Sequence, residues 1–317
     1  QGRPKNVGSA FYGYDLRAEG TYFMPIEYTG QAAGKPEFVF MRAQRTLLAY
    51  YPVVIRNTKI KPEEILRGML TATEVTKEVH FSSPKKEGTS ETPVYKAEGL
   101  SNNKNGQLFY EARLHVKPPV YILEIAGEQP VEASVKPKPQ RMEISFRSKN
   151  SAATTPDKQS EEQQRRHFHF LMKTGNHAAG QSNFQIAREL YEEALLYHID
   201  DAAAVSQICS VYDKQKNYAA GFAVTEKYAD VTARNANLLS FKAYFAYKLN
   251  NFREAAPLYE ASFEQGYWAY DEFEYMLRAY SAIKQPEKAA QLATKYLAKQ
   301  KNEELMRYVA HFFREEK

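Results

Sequence analysis

Few side chains in this chain have the type and spacing for covalent or acid–base chemistry, and each has a plainer reading. His167 and His169 are the one close pair among seven histidines. A metal ion needs convergent ligands, and neighbours two apart on a helix point away from each other. Cys209 is the single cysteine, so no intrachain disulfide or multi-cysteine metal site can form. It falls in the apolar helical pattern Val205, Ile208, Cys209, Tyr212, which makes it a buried thiol rather than a nucleophile. Glu63-Glu64 and Glu192-Glu193 are the adjacent carboxylates that acid–base work would need. The first pair reads as charge at a helix start, the second as solvated helix surface. Glycine-rich phosphate loops, serine elbows and zincin patterns are absent from the sequence. The expectation is a protein with no catalytic residues, no metal and no cofactor, hence not an enzyme.

Composition narrows the class further. Of 317 residues 43% are hydrophobic and 26% charged, as in ordinary globular proteins. Tyrosine is abundant, with 23 residues against one tryptophan, which supplies rings for packing and for exposed binding surface. The net charge of +5 comes from residues 1–148, which hold 21 basic and 16 acidic side chains. It is spread rather than clustered, so no nucleic-acid partner is expected. No apolar run has the length of a membrane helix. The start at Gln1, without methionine or a signal pattern, suggests a processed, extracytoplasmic protein, periplasmic or secreted. The lack of disulfides suits a cytoplasmic one equally.

The front of the chain reads as strands. Alternation begins at Tyr22, Met24 and Ile26, and further strands are expected over Glu37–Met41 and Pro52–Ile60. Arg42–Tyr51 fits helix or strand, with Pro52 ending either. Lys61-Pro62-Glu63-Glu64 opens a short helix carrying Ile65, Leu66, Met69 and Leu70. Glu74–Ser82 alternates again. The clearest local feature is a hairpin, Val94–Leu100 and Gln107–Val116, around a loop ending in Asn105-Gly106. Val120–Ala126 and Arg141–Arg147 add two more strands. The fold expected for residues 1–147 is a β-rich, sandwich-like domain of no recognised family. Residues 148–160 are small and polar and read as a linker, after which Ser160 and Gln163 form a capping box.

Residues 161–317 are governed by a period. Ala187, Gly221, Ala255 and Ala289 are separated by 34 residues, and Phe184, Tyr218, Phe252 and Pro286 precede each by three. A fixed period of this length points to stacked helical hairpins, with units at about 168–201, 202–235, 236–269 and 270–303. Small residues also recur in the first helices at Gly175, Cys209 and Ala243, with Leu277 in the fourth. Lys242 stands at an expected apolar position, and Pro257 inside a second helix should kink or interrupt it, so the third unit is the expected irregularity. Glu303–Glu316, with Leu305, Tyr308, Val309, Phe312 and Phe313 at helical spacing, is expected to cap the array.

The segments Phe184–Leu195 and Phe252–Phe263 resemble the second helix of a tetratricopeptide repeat. That resemblance implies an all-α array in a right-handed superhelix, with a concave groove lined by the first helices. The groove positions it implies are His169, Met172 and Asn176; Ala203, Ser206 and Ser210; Asn237, Ser240, Tyr244 and Tyr247; and Asp271, Glu274 and Arg278. Met172, Ser206 and Ser240 stand where family members that hold a partner's terminal carboxylate need cationic or amide groups, which argues against that activity. Tyr244 and Tyr247 are the expected hot spots, because tyrosine covers area with little entropy loss. The expected function is a non-catalytic scaffold that binds a peptide or partner segment in the groove, with the β-rich domain as a second binding or anchoring module. Two alternatives stand beside it: an accessory part of a cell-envelope assembly in peripheral contact with it, and an enzyme or carbohydrate-binding protein with its site in the β-rich domain.

Overall fold

The computed structural model describes residues 7–9, 12, 14–18, 24–25, 36–42, 46–57, 59–73, 79–91, 93–103, 106–129, 141–147, 160–300, 306–307, 309–310 and 313–314. The chain divides into two compact units, Gln1–Ile199 and Asp200–Lys317. In the first, the described elements are β1 (Val7–Ser9), β2 (Tyr14–Arg17), β3 (Met24–Pro25), β4 (Phe38–Arg42), β5 (Thr46–Val54), α1 (Pro62–Ala72), β6 (His80–Phe81), β7 (Lys85–Gly88), β8 (Pro93–Asn103), β9 (Gly106–Lys117), β10 (Val120–Glu128) and β11 (Glu143–Phe146). They are followed by α2 (Glu161–Gly180), α3 (Phe184–Ala194) and a 3-10 turn, Leu195–Tyr197.

The expected hairpin is the centre of this unit. β8 and β9 pair from Val94↔His115 to Asn103↔Gly106, a longer ladder than the sequence pattern marks, and Asn105 lies outside the described residues. β10 and then β5 extend the sheet, so the main order is β3-β4-β5-β10-β9-β8-β6, with β7 also on β8. Arg42–Tyr51 resolves as strand, and β5 runs through Pro52 instead of ending there. β4 pairs no further than Phe38↔Tyr50, so at Pro52 only β10 remains alongside, and the absent N–H breaks no bond on the β4 side. The calls on Tyr22 and Ile26, and on residues 74–78, lie outside the described residues.

Alternation along these strands gives the sheet two apolar faces. One carries Leu48, Tyr50, Val54, Val120 and Ile122 and meets Tyr14 and Leu16 of the three-stranded sheet β1-β2-β11. The other carries Ala49, Tyr51, Val53, Leu114 and Leu123 and is covered by helix, not by a second sheet. Ile65, Leu66 and Met69 of α1 join Phe170 and Leu171 of α2 and Leu190 and Ala194 of α3 over it. The Phe170 ring stands edge-on to Tyr51 at 5.9 Å. The first compact unit therefore takes in the first helical hairpin, and its end at Ile199 falls beyond the expected linker, of which residues 148–159 lie outside the described ones.

Glu193 shows why the hairpin stays there. Read as solvated surface, it is instead buried at 6% exposure, while Glu192 is exposed. It accepts from the backbone N–H groups of Arg56 at 2.6 Å and Asn57 at 3.2 Å, just past β5. Asn57 Nδ2 also donates to Glu189 at 2.7 Å. α1 and α2 cross so closely that a Cβ on Gly68 would stand 2.7 Å from the Thr174 Cα.

The second unit contains α4 (Asp201–Lys214), α5 (Tyr218–Lys227), α6 (Ala229–Ala233), α7 (Ala236–Lys248), α8 (Phe252–Glu264), α9 (Tyr270–Ala282) and α10 (Pro286–Gln300). Across the chain, α3, α5, α8 and α10 begin at Phe184, Tyr218, Phe252 and Pro286, the residues that mark the period. Ala187, Ala255 and Ala289 are fully buried and Gly221 is buried with them. The irregularity falls in the second repeat, where the second helix breaks at Tyr228 into α5 and α6 and Thr232 Oγ1 donates to the Thr225 carbonyl across the break. The third repeat is regular: α8 is continuous through Pro257, which lies on its exposed face. Lys242 is accommodated by an ion pair with Glu226 and by its Nζ lying over the Phe222 ring at 5.6 Å. Of the expected terminal helix, Met306, Arg307, Val309, Ala310, Phe313 and Arg314 are described and helical, and Val309 is buried in this unit's core.

Two outcomes follow from the packing of the first unit. Gly68→Ala forces α1 off α2, since the obstruction includes backbone, and lowers stability by about 1–3 kcal/mol as read from the urea midpoint. Acid should also loosen this unit. Burial alone would raise the Glu124 carboxyl, but Arg141 at 2.7 Å and His115 at 3.0 Å outweigh it and hold the group at about 2, below its ordinary 4.5. Burial pushes His167 down to about 3 from 6.5. Both native values lie below the unfolded ones, so their stabilisation is full above the unfolded values and is lost as pH falls. His167 acts between 6.5 and about 3, Glu124 between 4.5 and about 2. His167→Phe should lose less thermal stability than the native chain between pH 7 and pH 5; an equal loss contradicts the assignment.

Candidate functional site

Of the residues expected to line a groove, those of the first hairpin are already engaged within the first unit. His169 Nε2 lies 3.4 Å from the Ala72 carbonyl at the end of α1, and Met172 is partly buried against this unit's core. Asn176 accepts from the Tyr191 hydroxyl at 2.8 Å. α1 packs against α2 on the side of His169, while Asn176 is exposed and bonded within its own hairpin; the contact with α1 is one that a repeat pattern alone does not foretell.

In the second unit the first helices α4, α7 and α9 bring most of the others together. Asn237 Nδ2 donates to Ser206 Oγ at 3.3 Å, joining α7 to α4. Ser240, 1% exposed, donates to Glu272 and so joins α7 to α9. Tyr267 adds a donor to the same carboxylate at 3.4 Å. Burial raises the Glu272 carboxyl while these two hydroxyls draw it down. Glu274 and Arg278 pair with each other along α9 at 2.6 Å. Ser210 and Ala203 are half-buried on α4, and Asp271 is exposed at the start of α9.

Nearer the C-terminal ends of these helices, rings replace the polar contacts. Tyr247 stacks on Tyr275 with centroids 4.7 Å apart, and Tyr244 lies 6.0 Å from the same ring. Tyr218 stands edge-on to Tyr244 at 5.9 Å. Lys248 Nζ lies over both Tyr244 and Tyr275, at 5.2 and 5.3 Å from their centroids. Burial first, and then the Asp213 carboxylate beside it, raises the Tyr244 hydroxyl well above its ordinary value. Tyr244, Tyr247 and Tyr275 all remain half-buried rather than closed over.

Beside these rings opens a cleft of about 380 Å³. Phe241 and Tyr244 of α7, Asp213 of α4, and Ala269, Tyr270, Asp271, Glu272 and Tyr275 at and after the start of α9 form its walls. Tyr244 and Asp271 were expected to face a groove; Asp213, Phe241, Tyr270 and Tyr275 were missed. Tyr275 had a usable signal, since it stands four residues after Asp271 on one helix face. Among the described residues no three His, Cys, Asp or Glu side chains gather as a metal ion would need, and no helix is long and apolar enough to cross a membrane. Cys209 is buried, and burial pushes its thiol up to about 12, which leaves little thiolate at neutral pH.

No protein-family model matches this chain, and no curated protein does. Among solved structures it is similar to YrrB, described as a TPR protein with an unusual peptide-binding site, at 15% identity and a TM-score of 0.37, over 45% of this chain and 74% of that one. It is also similar to MamA from AMB-1, at 16% identity and a TM-score of 0.34, over 40% of this chain and 76% of that one.

The Ser240–Glu272 hydrogen bond joins α7 to α9 at the wall of the cleft. Ser240→Ala removes a buried hydroxyl that donates to the half-buried Glu272 carboxylate and should destabilise the second unit by about 1 kcal/mol. Trp268, the sole tryptophan, sits in this unit's core against Phe263 and Phe273, so its fluorescence in a urea titration reads the shift.

Proposed function

We propose that this chain is a non-catalytic scaffold whose second unit receives an extended segment of a partner protein along α4, α7 and α9. The observation that carries this reading is the half-buried ridge of Tyr244, Tyr247 and Tyr275 beside an open cleft. Three rings locked against each other present amphipathic area without rotamers left to freeze, which is what interface hot spots supply. The hairpin register supports it too, because helical arrays of this kind offer a row of first helices to an extended ligand. In this reading the β-rich domain is a second binding or anchoring module.

A peptide array probed with the full chain tests the proposal. The native chain should retain a subset of peptides, and Tyr247→Ala combined with Tyr275→Ala should weaken them by at least tenfold while circular dichroism is unchanged. Retention that ignores the double substitution, or an array that stays blank, defeats the reading.

A further inference from the structure

The walls of the cleft in the second unit combine two kinds of group that share a preference. Phe241, Tyr244 and Tyr275 contribute aromatic rings, and Asp213, Asp271 and Glu272 contribute carboxylates. Among the described residues no lysine or arginine lines it. This acidity is local, because residues 200–317 carry as many basic as acidic side chains. Aromatic faces attract cations through the ring quadrupole, and carboxylates at the rim add direct charge.

The three carboxylates are not equivalent. Glu272 is taken up by Ser240 and Tyr267, and Asp213 by Tyr244. Asp271 is exposed at the first turn of α9, which leaves it able to meet an incoming group. The protein itself shows that these rings hold a cation, since the Lys248 ammonium lies over Tyr244 and Tyr275 together. Lys248 is not among the residues that line the cleft.

We propose that the cleft takes an arginine side chain projecting from the extended partner segment, its guanidinium set against the aromatic wall that includes Phe241 and paired with Asp271. Arginine fits better than lysine because its planar, weakly hydrated fork stacks on a ring and meets a carboxylate at the same time. A cavity of about 380 Å³ also has room for the full aliphatic stem with its planar head. The assignment rests on the scaffold reading and adds to it the chemistry of the bound residue.

The test uses a peptide array in which every 12-residue sequence is made four times, with arginine, lysine, citrulline or glutamate at the centre. Citrulline keeps the shape and removes the charge. Probed with the full chain, the arginine set should dominate, lysine should bind several-fold more weakly, citrulline at least tenfold more weakly, and glutamate not at all. Asp271→Asn should reduce the arginine-over-citrulline preference by about tenfold with Trp268 fluorescence unchanged. Parity of citrulline with arginine, or a preference that survives Asp271→Asn, overturns this inference and leaves the scaffold standing. Parity of lysine overturns the choice of guanidinium. A blank array overturns the scaffold reading and this one with it.

Discussion

Where the second helix of a hairpin crosses its neighbours, there is room for a methyl group or less. Ala187, Ala255 and Ala289 have no exposed surface, and at Gly221 even a methyl is excluded, because its Cβ would stand 2.6 Å from the Phe245 ring. Phe245 occupies the place that Val211 and Ala279 hold one period to either side. The larger ring and the missing methyl are one packing solution, since interiors fill to crystal-like density and tolerate neither overlap nor void. Close crossing brings α4, α7 and α9 within reach of one another's polar and aromatic side chains. Without it, Ser240 would not meet Glu272, and Tyr247 would not stack on Tyr275.

A different constraint governs the first unit. Its main sheet has two apolar faces and only a three-stranded sheet to cover one of them. Helix covers the other, and α1 alone is too short, so α2 and α3 are recruited. Apolar burial drives this docking, but Glu193 gives it direction. A carboxylate at 6% exposure is costly unless its lone pairs are met, and the two backbone N–H groups past β5 meet them in one register only. Burial pushes the Glu193 carboxyl up, while those N–H groups and the Arg56 guanidinium draw it back.

The sequence made some of this legible and hid the rest for identifiable reasons. Periodicity located α3, α5, α8 and α10 to the residue, because bulky and small side chains recur at the same helical phase. The β8–β9 hairpin was legible from alternation and turn residues. The use of α2 and α3 to cover the sheet was not, because a repeat pattern reports which face of a hairpin is apolar and not what lies against it. His169 and Met172 therefore resembled groove residues although the first unit's own packing claims them, His169 at the end of α1 and Met172 against the core. Glu193 was hidden for a related reason: one carboxylate in a charged helix carries no mark of its partner 137 positions away. In the cleft, the register of first helices pointed to Tyr244, and Asp213 shares the 34-residue column of Tyr247 although it was passed over, while Tyr275 stands in the column of Phe241, which the groove register does not include.

The turns inside the hairpins went unmarked for yet another reason. Ser182, Lys216, Asn250 and Lys284 adopt φ of 61°, 54°, 61° and 61°, again at 34-residue spacing, without a glycine among them. After each, the next residue donates its N–H five positions back, Asn183 to Ala178, Asn217 to Tyr212, Asn251 to Ala246 and Gln285 to Tyr280, all at 2.9 Å. This closes the helix with a left-handed residue, a conformation that costs a non-glycine side chain about 1–2 kcal/mol. Four repetitions of one hydrogen-bond pattern, against the local preference of serine and lysine, mean that tertiary packing sets the turn and the side chain yields. The same turn geometry then starts each second helix at the same phase relative to the first. The turn after α7 is joined to the ring cluster directly, since the Asn250 N–H donates to the carbonyl of Tyr247, whose ring stacks on Tyr275 of α9.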